Sequence, residues 1–348
     1  MQAVLEKLIH PEFQQSLAEL EMLKGVESKN GVLEVKVDFL TFASPSKARL
    51  VEEIKQAAQV PVNVVDVTEQ RSTQPALGGG ALPSVKNVLV VGSGKGGVGK
   101  STVALNIAAA LAQEGARVGL IDADIYGPSL APLAGVQQFG VRMNEHLLQP
   151  VEKFGFKMLS QAFFMKPGDS IVWRGPKLHG RLDLFCSHTE WGELDFMVVD
   201  LPPGTGDVLL SLSQMVPIGG AIIVSTPQHV AVGIASKAID AFGKLNVPLL
   251  GLVENMSFYS CPHCGKPDNI FGHGGARDTA REYELPFLGE IPLNSTMLEA
   301  SDQGMPVVLS HPDSAPAQAL RRVAQLAAGR LAVAAVAGYD AINTNTLS

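Results

Sequence analysis

From Asn87 onward, short and nearly continuous apolar runs alternate with stretches of helical periodicity: NVLVV at 87–91, RVGLI at 117–121, FMVVD at 196–200, GAIIVS at 220–225 and PLLGLV at 248–253. A strand that is apolar at every position must be covered on both faces. Strands separated by helices cross over between parallel neighbours, so the pattern predicts a parallel sheet with helices on both sides. Residues 1–69 read as a first helix, an alternating run in which Leu33, Val35, Val37 and Phe39 interleave with Val32, Glu34, Lys36 and Asp38, a helix over about 46–58 and a strand at 62–67. That is a small α/β module. Between the two parts, QRSTQPALGGGALPS loses all periodicity, and residues 70–86 are expected to form a flexible linker. The larger domain then spans 87–338, and the polar residues 339–348 are expected to be a disordered tail.

Composition narrows the class. The chain has 348 residues, enough for about two domains, and 46% of them are hydrophobic, which excludes a largely disordered protein. Only 18% are charged, while Gly (35) and Pro (22) are plentiful, as in compact α/β proteins with many tight turns. A net charge of −7 argues against a nucleic-acid partner. No apolar run approaches a membrane span, and Glu6 and Lys7 stand where a signal peptide needs apolar residues. The expectation is a soluble, cytoplasmic protein with no membrane partner. Three cysteines, two of them in one CxxC, build no disulfide framework and read as a metal or redox site in a reducing compartment.

The candidate chemistry begins after the first of the apolar strands. Gly94-Lys95-Gly96-Gly97-Val98-Gly99-Lys100-Ser101, followed by Thr102, satisfies the G-x-x-x-x-G-K-[ST] phosphate-loop pattern between a strand and a helix. Glycines let the backbone approach phosphates and turn its N–H groups inward; Lys100 supplies charge, and the Ser101 hydroxyl ligates Mg²⁺. The strand at 117–121 runs into Asp122-Ala123-Asp124, and carboxylates at the carboxyl end of a parallel strand face the ligand crevice. Asp124 is the candidate for orienting the attacking water, with helix capping as the plainer alternative. Asp200, ending FMVVD, is the candidate Mg²⁺ carboxylate. Cys261-Pro262-His263-Cys264-Gly265 lies in a loop and is open to three readings: a redox dithiol, half of a zinc site or half of an iron–sulfur site. His273 would make a badly spaced Cys₂His₂ zinc site, whereas a two-fold axis would bring four cysteines from two chains around one centre. Cys186 reads as a core residue, and His179, His188 and His229 show no ligand spacing.

Two resemblances sharpen this. KGGVGKST resembles the deviant Walker A motif of the MinD/ParA-like P-loop ATPases, in which the early lysine reaches the nucleotide of the opposing subunit; this implies an ATP-bound homodimer with Lys95 at its interface. In those ATPases an asparagine at the position of Asn255 contacts adenine, against the plainer alternative of a turn-forming Asn. WRGP (173–176), WGELDFMVVDLPPGTGD (191–207), STPQ (225–228), ENMSF (254–258), CPHCG (261–265), IFGHGGA (270–276) and PFLGEIPL (286–293) together resemble the Mrp/ApbC-type iron–sulfur cluster carrier proteins. Residues 1–69 resemble the small domain shared with iron–sulfur maturation factors, except that Ser44 stands in the position of its cysteine and is a poor iron ligand. Lys177, after WRGP, replaces an expected apolar residue. The resemblance implies an α/β protein, a parallel-sheet P-loop NTPase domain preceded by a small α/β domain, that hydrolyses ATP slowly. It implies that Cys261 and Cys264 bind a labile four-iron four-sulfur cluster across a homodimer interface and deliver it to apoproteins. A MinD/ParA-like positioning ATPase, a zinc-binding P-loop ATPase and a nitrogenase-reductase-like electron donor are the alternatives. The first would need a terminal amphipathic helix or basic surface, and the last more separated cysteines than Cys186 can supply.

Overall fold

The computed structural model describes residues 1–11, 15–73, 80–136, 142–144, 147–164, 176–204, 206–261, 264 and 266–337. The expected tail, the middle of the expected linker, residues 173–175 of WRGP, Thr205, Pro262, His263 and Gly265 lie outside the described residues, as do the side chains of Lys177 and His229.

The amino-terminal part is a three-stranded sheet with a helix against it. Its elements are α1 (Gln2–Leu5), β1 (Leu23–Lys29), β2 (Val32–Val37), α2 (Lys47–Ala58) and β3 (Val62–Asp66). β2 lies in the middle, antiparallel to β1 and parallel to β3. The expected first helix is only four residues long, and Pro11, which a helix interior does not tolerate, follows closely. β1 escaped the periodicity because Gly25 interrupts it and most of its side chains face out. Its turn was signalled by Asn30-Gly31: both take positive φ (52° and 79°), as a two-residue hairpin joining right-twisted strands requires. Val35, Val37, Leu50 and Ile54 form the buried core, and Ala332 from the far end of the chain joins it. The segment expected to be a linker is hydrogen-bonded at both ends. Thr41 donates to the Gln70 side chain (2.8 Å), Asn87 donates to Arg71 O (2.7 Å), and Ala81 N–H donates to Met215 O (3.1 Å).

The larger part is built on β4 (Val88–Gly92), β5 (Val118–Asp122), β6 (Arg142–Asn144), β7 (Leu147–Gln149), β8 (Val151–Lys153), β9 (Phe156–Ser160), β10 (Phe196–Asp200), β11 (Gly220–Ser225), β12 (Leu249–Ser260), β13 (Pro267–Asp268) and β14 (Phe287–Leu293). The main sheet runs β13-β12-β11-β4-β10-β5-β9-β8, with β14 also paired to β12. The five anticipated strands are its contiguous parallel centre, and β8 and β13 are antiparallel additions at the two ends. On one face lie α3 (Lys100–Gln113) and α11 (Ala315–Ala337); on the other lie α5 (Pro176–Ser187), α6 (Gly206–Met215) and α7 (His229–Lys244). α4 (Leu130–Leu133), α8 (Gly275–Glu282), α9 (Ser295–Asp302) and α10 (Val307–Ser310) complete the described helices. Among the described residues no helix is long and apolar enough to cross a membrane.

α3, which carries the phosphate loop at its start, is apolar on almost every face because the sheet, α10 and α11 enclose it. Its one polar interior residue, Asn106, is buried; it donates to Thr102 O (2.9 Å) and accepts the Val308 N–H of α10 (3.1 Å). Asn106→Ala leaves that N–H without its acceptor, and an unmet buried donor costs about 1–3 kcal/mol. The expected result is a lower denaturation midpoint, read by urea titration; a midpoint equal to the wild type would show that water replaces the amide.

Candidate functional site

The phosphate loop leaves the carboxyl end of β4, which lies between β11 and β10 in the sheet. Gly97 and Gly99 take φ of 78° and 79°, a region in which a side chain would crowd the following carbonyl. Gly99 caps α3, so the unpaired N–H groups of the first helical turn open onto the loop. Lys100, the first residue of α3, is 6% exposed. Its Nζ donates to Asp200 Oδ1 at 2.5 Å and reaches Ser101 Oγ at 3.3 Å. The loop lysine, the loop serine and the strand-end aspartate, assigned separately in the sequence, therefore meet at one point.

A second carboxylate stands beside Asp200. Parallel pairing of β5 and β10 puts Asp122 opposite it, and Asp122 is fully buried. It accepts from Ser160 Oγ (2.8 Å), Leu130 N–H (3.2 Å) and Asp124 N–H (3.1 Å). Burial, followed by the charge of Asp200, pushes its carboxyl up to about 7. Burial also raises Asp200, against the pull of Lys100. Sequence reasoning passed over Asp122, although the first acidic residue after an apolar strand was the available signal.

Asp124 lies at the rim of a cleft of about 400 Å³ lined by Lys95 to Thr102, Ser129 and Pro203 among others. Its own carboxylate accepts the Gly127 N–H at 3.0 Å, which fixes the turn after β5. Lys95 Nζ donates to the Gln228 side chain of the same chain at 3.0 Å; Gln228 ends the STPQ segment that leaves β11. Asn255, on β12, is buried and donates from Nδ2 to Val98 O at 2.8 Å. That nitrogen sits 2.2 Å from where a Cβ on Gly99 would stand, so Gly99 is required twice, by its backbone angle and by close approach.

The cysteines lie beyond the end of β12. Tyr259 and Ser260 pair with Asp268 and Pro267, and Cys261 N–H donates to Lys266 O (3.0 Å), so the pair sits at the tip of a short hairpin. Cys261 is half-buried and Cys264 exposed. Cys186 is buried in α5, and burial pushes its thiol up to about 12. His188 lies 3.6 Å from Asp183, and His179 lines a separate cleft beside Tyr126 and Pro203. His273 is occupied elsewhere: its Nε2 lies 3.2 Å from Glu290, which also pairs with Arg277. Among the described residues, the one grouping of three ligand-type side chains is Glu254, His273 and Glu290, within 4.8 Å of one another. Glu254 already accepts the Gly274 and Ala276 N–H groups at the start of α8 and the Ser257 hydroxyl, so its charge serves as a helix cap.

Comparison with known proteins places this geometry. Residues 84–328 match the ParA-type family described as NUBPL iron-transfer P-loop NTPase. The chain is 48% identical over 331 residues to an iron-sulfur cluster carrier protein of Deinococcus radiodurans, covering 93% of this chain and 92% of that one. It is 43% identical over 247 residues to the iron-sulfur cluster transfer protein NUBPL of Dictyostelium discoideum, covering 70% and 76%. Among solved structures, a nucleotide-binding protein of Archaeoglobus fulgidus in complex with ADP superposes with a TM-score of 0.57 at 38% identity, covering 66% of this chain and 90% of that one. The fold is that of a MinD/ParA-like P-loop NTPase with a small amino-terminal sheet domain.

Proposed function

Because the chain belongs to the NUBPL-type family of iron-transfer P-loop NTPases, we propose that it is an ATP-hydrolysing iron–sulfur cluster carrier working as a homodimer, with Cys261 and Cys264 of each copy holding one four-iron four-sulfur cluster between them. The carrying observation is the ligand count at the hairpin tip. Two thiols are presented there, Cys264 exposed, and the chain's one other cysteine, Cys186, is buried in α5. A cluster that takes four thiolates must then draw two from a second copy. Two ligands per chain also make the cargo easy to release to an apoprotein.

In the nucleotide cleft the chain's own groups divide the work. Lys100 exchanges its hold on Asp200 for the β- and γ-phosphates, and the glycine-rich loop supplies backbone donors around them. Ser101 and Asp200 are hard oxygen donors, the set that would hold Mg²⁺, which when bound would neutralise phosphate charge. Asp124 orients the attacking water. Asn255, with one amide hydrogen given to Val98, is assigned to adenine through its remaining polar edge. Lys95 leaves Gln228 to reach the nucleotide of the other copy. Hydrolysis is slow, and the small domain, whose Ser44 is buried, serves delivery to apoproteins and not metal ligation.

Anaerobic reconstitution with iron and sulfide tests the carrier reading. Four irons per dimer, with no zinc retained, is the expected count; a monomer holding a complete site, or zinc resistant to exchange, would overturn it. The role of Lys95 is tested by mixing Lys95→Ala with Asp124→Ala chains, each nearly inactive alone. A mixed dimer contains one whole site, so phosphate release should return to about half the wild-type rate per mixed dimer, by the additivity of independent sites. Subunit exchange without recovered turnover would place Lys95 in its own chain's chemistry.

A further inference from the structure

We infer that Asn255 is a positioning residue through which occupancy of the phosphate loop is transmitted along β12 to the cysteine hairpin. The inference rests on the reading of Cys261 and Cys264 as cargo ligands and adds how the nucleotide regulates them.

The loop and the strand are in contact without slack. Asn255 Nδ2 bonds Val98 O and fills the space where a Cβ on Gly99 would stand, and the Met256 methyl lies 3.8 Å from that Cβ position. Val98 and Gly99 are the peptide units immediately before Lys100. Phosphates entering the cleft therefore engage the backbone segment that Asn255 holds.

The strand is built to pass such a displacement on. Glu254, just before Asn255, is tied to the start of α8, which fixes the upstream side. Met256 then takes φ of +55°, and the pairing of β12 with β14 shifts register between Asn255 and Tyr259. A left-handed residue other than glycine inside a strand is a local bulge with a higher-energy backbone. Beyond it the hairpin is continuously hydrogen-bonded through Tyr259, Ser260 and Cys261. A turn at Met256 therefore moves the hairpin as a unit together with the end of β14, whose Leu293 pairs with Tyr259, and six residues of strand carry the displacement over about 20 Å.

The test is the rate at which iodoacetamide alkylates cluster-free, full-length protein, with and without Mg²⁺ and ATPγS held above the dissociation constant found by calorimetry for each variant. Buried Cys186 serves as the unlabelled internal reference. In the wild type, nucleotide should change the rate at Cys261 and Cys264 by about fivefold or more, the lower range of ordinary coupling between sites. Asn255→Asp keeps the shape but cannot donate to Val98 O, and its alkylation should become independent of nucleotide. Met256→Gly leaves Asn255 in place and relaxes the bulge, so the response should shrink there too. A wild-type-sized response in Met256→Gly, or in a nucleotide-bound Asn255→Asp protein, would overturn the inference. So would raised nucleotide-free rates in both variants, which would mark a merely structural role. Wild-type protein that binds nucleotide with no change in alkylation overturns the coupling and leaves the carrier reading intact; wild-type protein that binds no nucleotide overturns the carrier reading itself.

Discussion

Lys100→Ala reduces ATP hydrolysis by about 10²–10³-fold or more, the loss expected when a principal donor to transition-state charge is removed. The effect has two sources in the structure. The β- and γ-phosphates lose the one side-chain cation that α3 aims into the cleft. In addition, Asp200, which Lys100 contacts at 2.5 Å, is left beside the buried Asp122 without its lysine partner. Two adjacent buried carboxylates cannot both stay ionised, so losing the lysine that draws Asp200 down favours a proton on the pair and makes it a poorer oxygen donor set for Mg²⁺. Phosphate release and calorimetric titration with ATP, in the presence and absence of Mg²⁺, check both parts. Wild-type turnover in the variant would remove Lys100 from the chemistry. Nucleotide binding that keeps its full Mg²⁺ dependence would show that Asp200 does not depend on its lysine.

Cys261→Ser or Cys264→Ser is expected to abolish retention of the cluster, whereas Cys186→Ser should leave it unchanged. In the proposed shared centre a single substitution removes two of the four thiolates, one from each copy, and a serine hydroxyl is too weakly acidic to replace them. Cys186 lies buried among the apolar side chains that cover one face of the sheet, and the raised position of its thiol keeps it protonated and unavailable to metal. Iron content and the visible absorbance of anaerobically reconstituted protein are the measurements. Four irons per dimer in the Cys261 variant would sink the shared site. Loss of cluster in the Cys186 variant, with the fold intact by circular dichroism, would give that buried thiol a role that its surroundings do not suggest.

Local sequence carried the features whose physics is local. The phosphate loop was legible because its glycines, Lys100 and Ser101 are contiguous, and the strand and helix that flank it announce themselves by unbroken apolar runs. The five central strands were legible for the same reason: burial on both faces leaves no polar position to confuse the period. The CxxC was visible as spacing alone. β9 and β14 were not read as strands. β9, FKMLS, breaks its apolar run with Lys157, and β14 contains Pro292, a residue that a strand accepts only where the ladder is incomplete; β14 pairs with β12 alone.

Contacts between distant residues belonged to the tertiary structure. Asn255 meets Val98 across 157 positions, and Asn106 meets Val308 across 202. No periodicity encodes such partners, because they follow from strand order and helix packing after the chain has crossed over. Parallel register placed Asp122 against Asp200 and made one of three acidic residues the most buried charge of the site. Packing placed Ala332 in the core of the small sheet and tied down both ends of a segment whose composition read as flexible. Composition reports what a segment does when nothing binds it; the hydrogen-bond partners that Gln70, Arg71 and Ala81 find, Thr41, Asn87 and Met215, are brought to them only when the part of the chain on each side has folded.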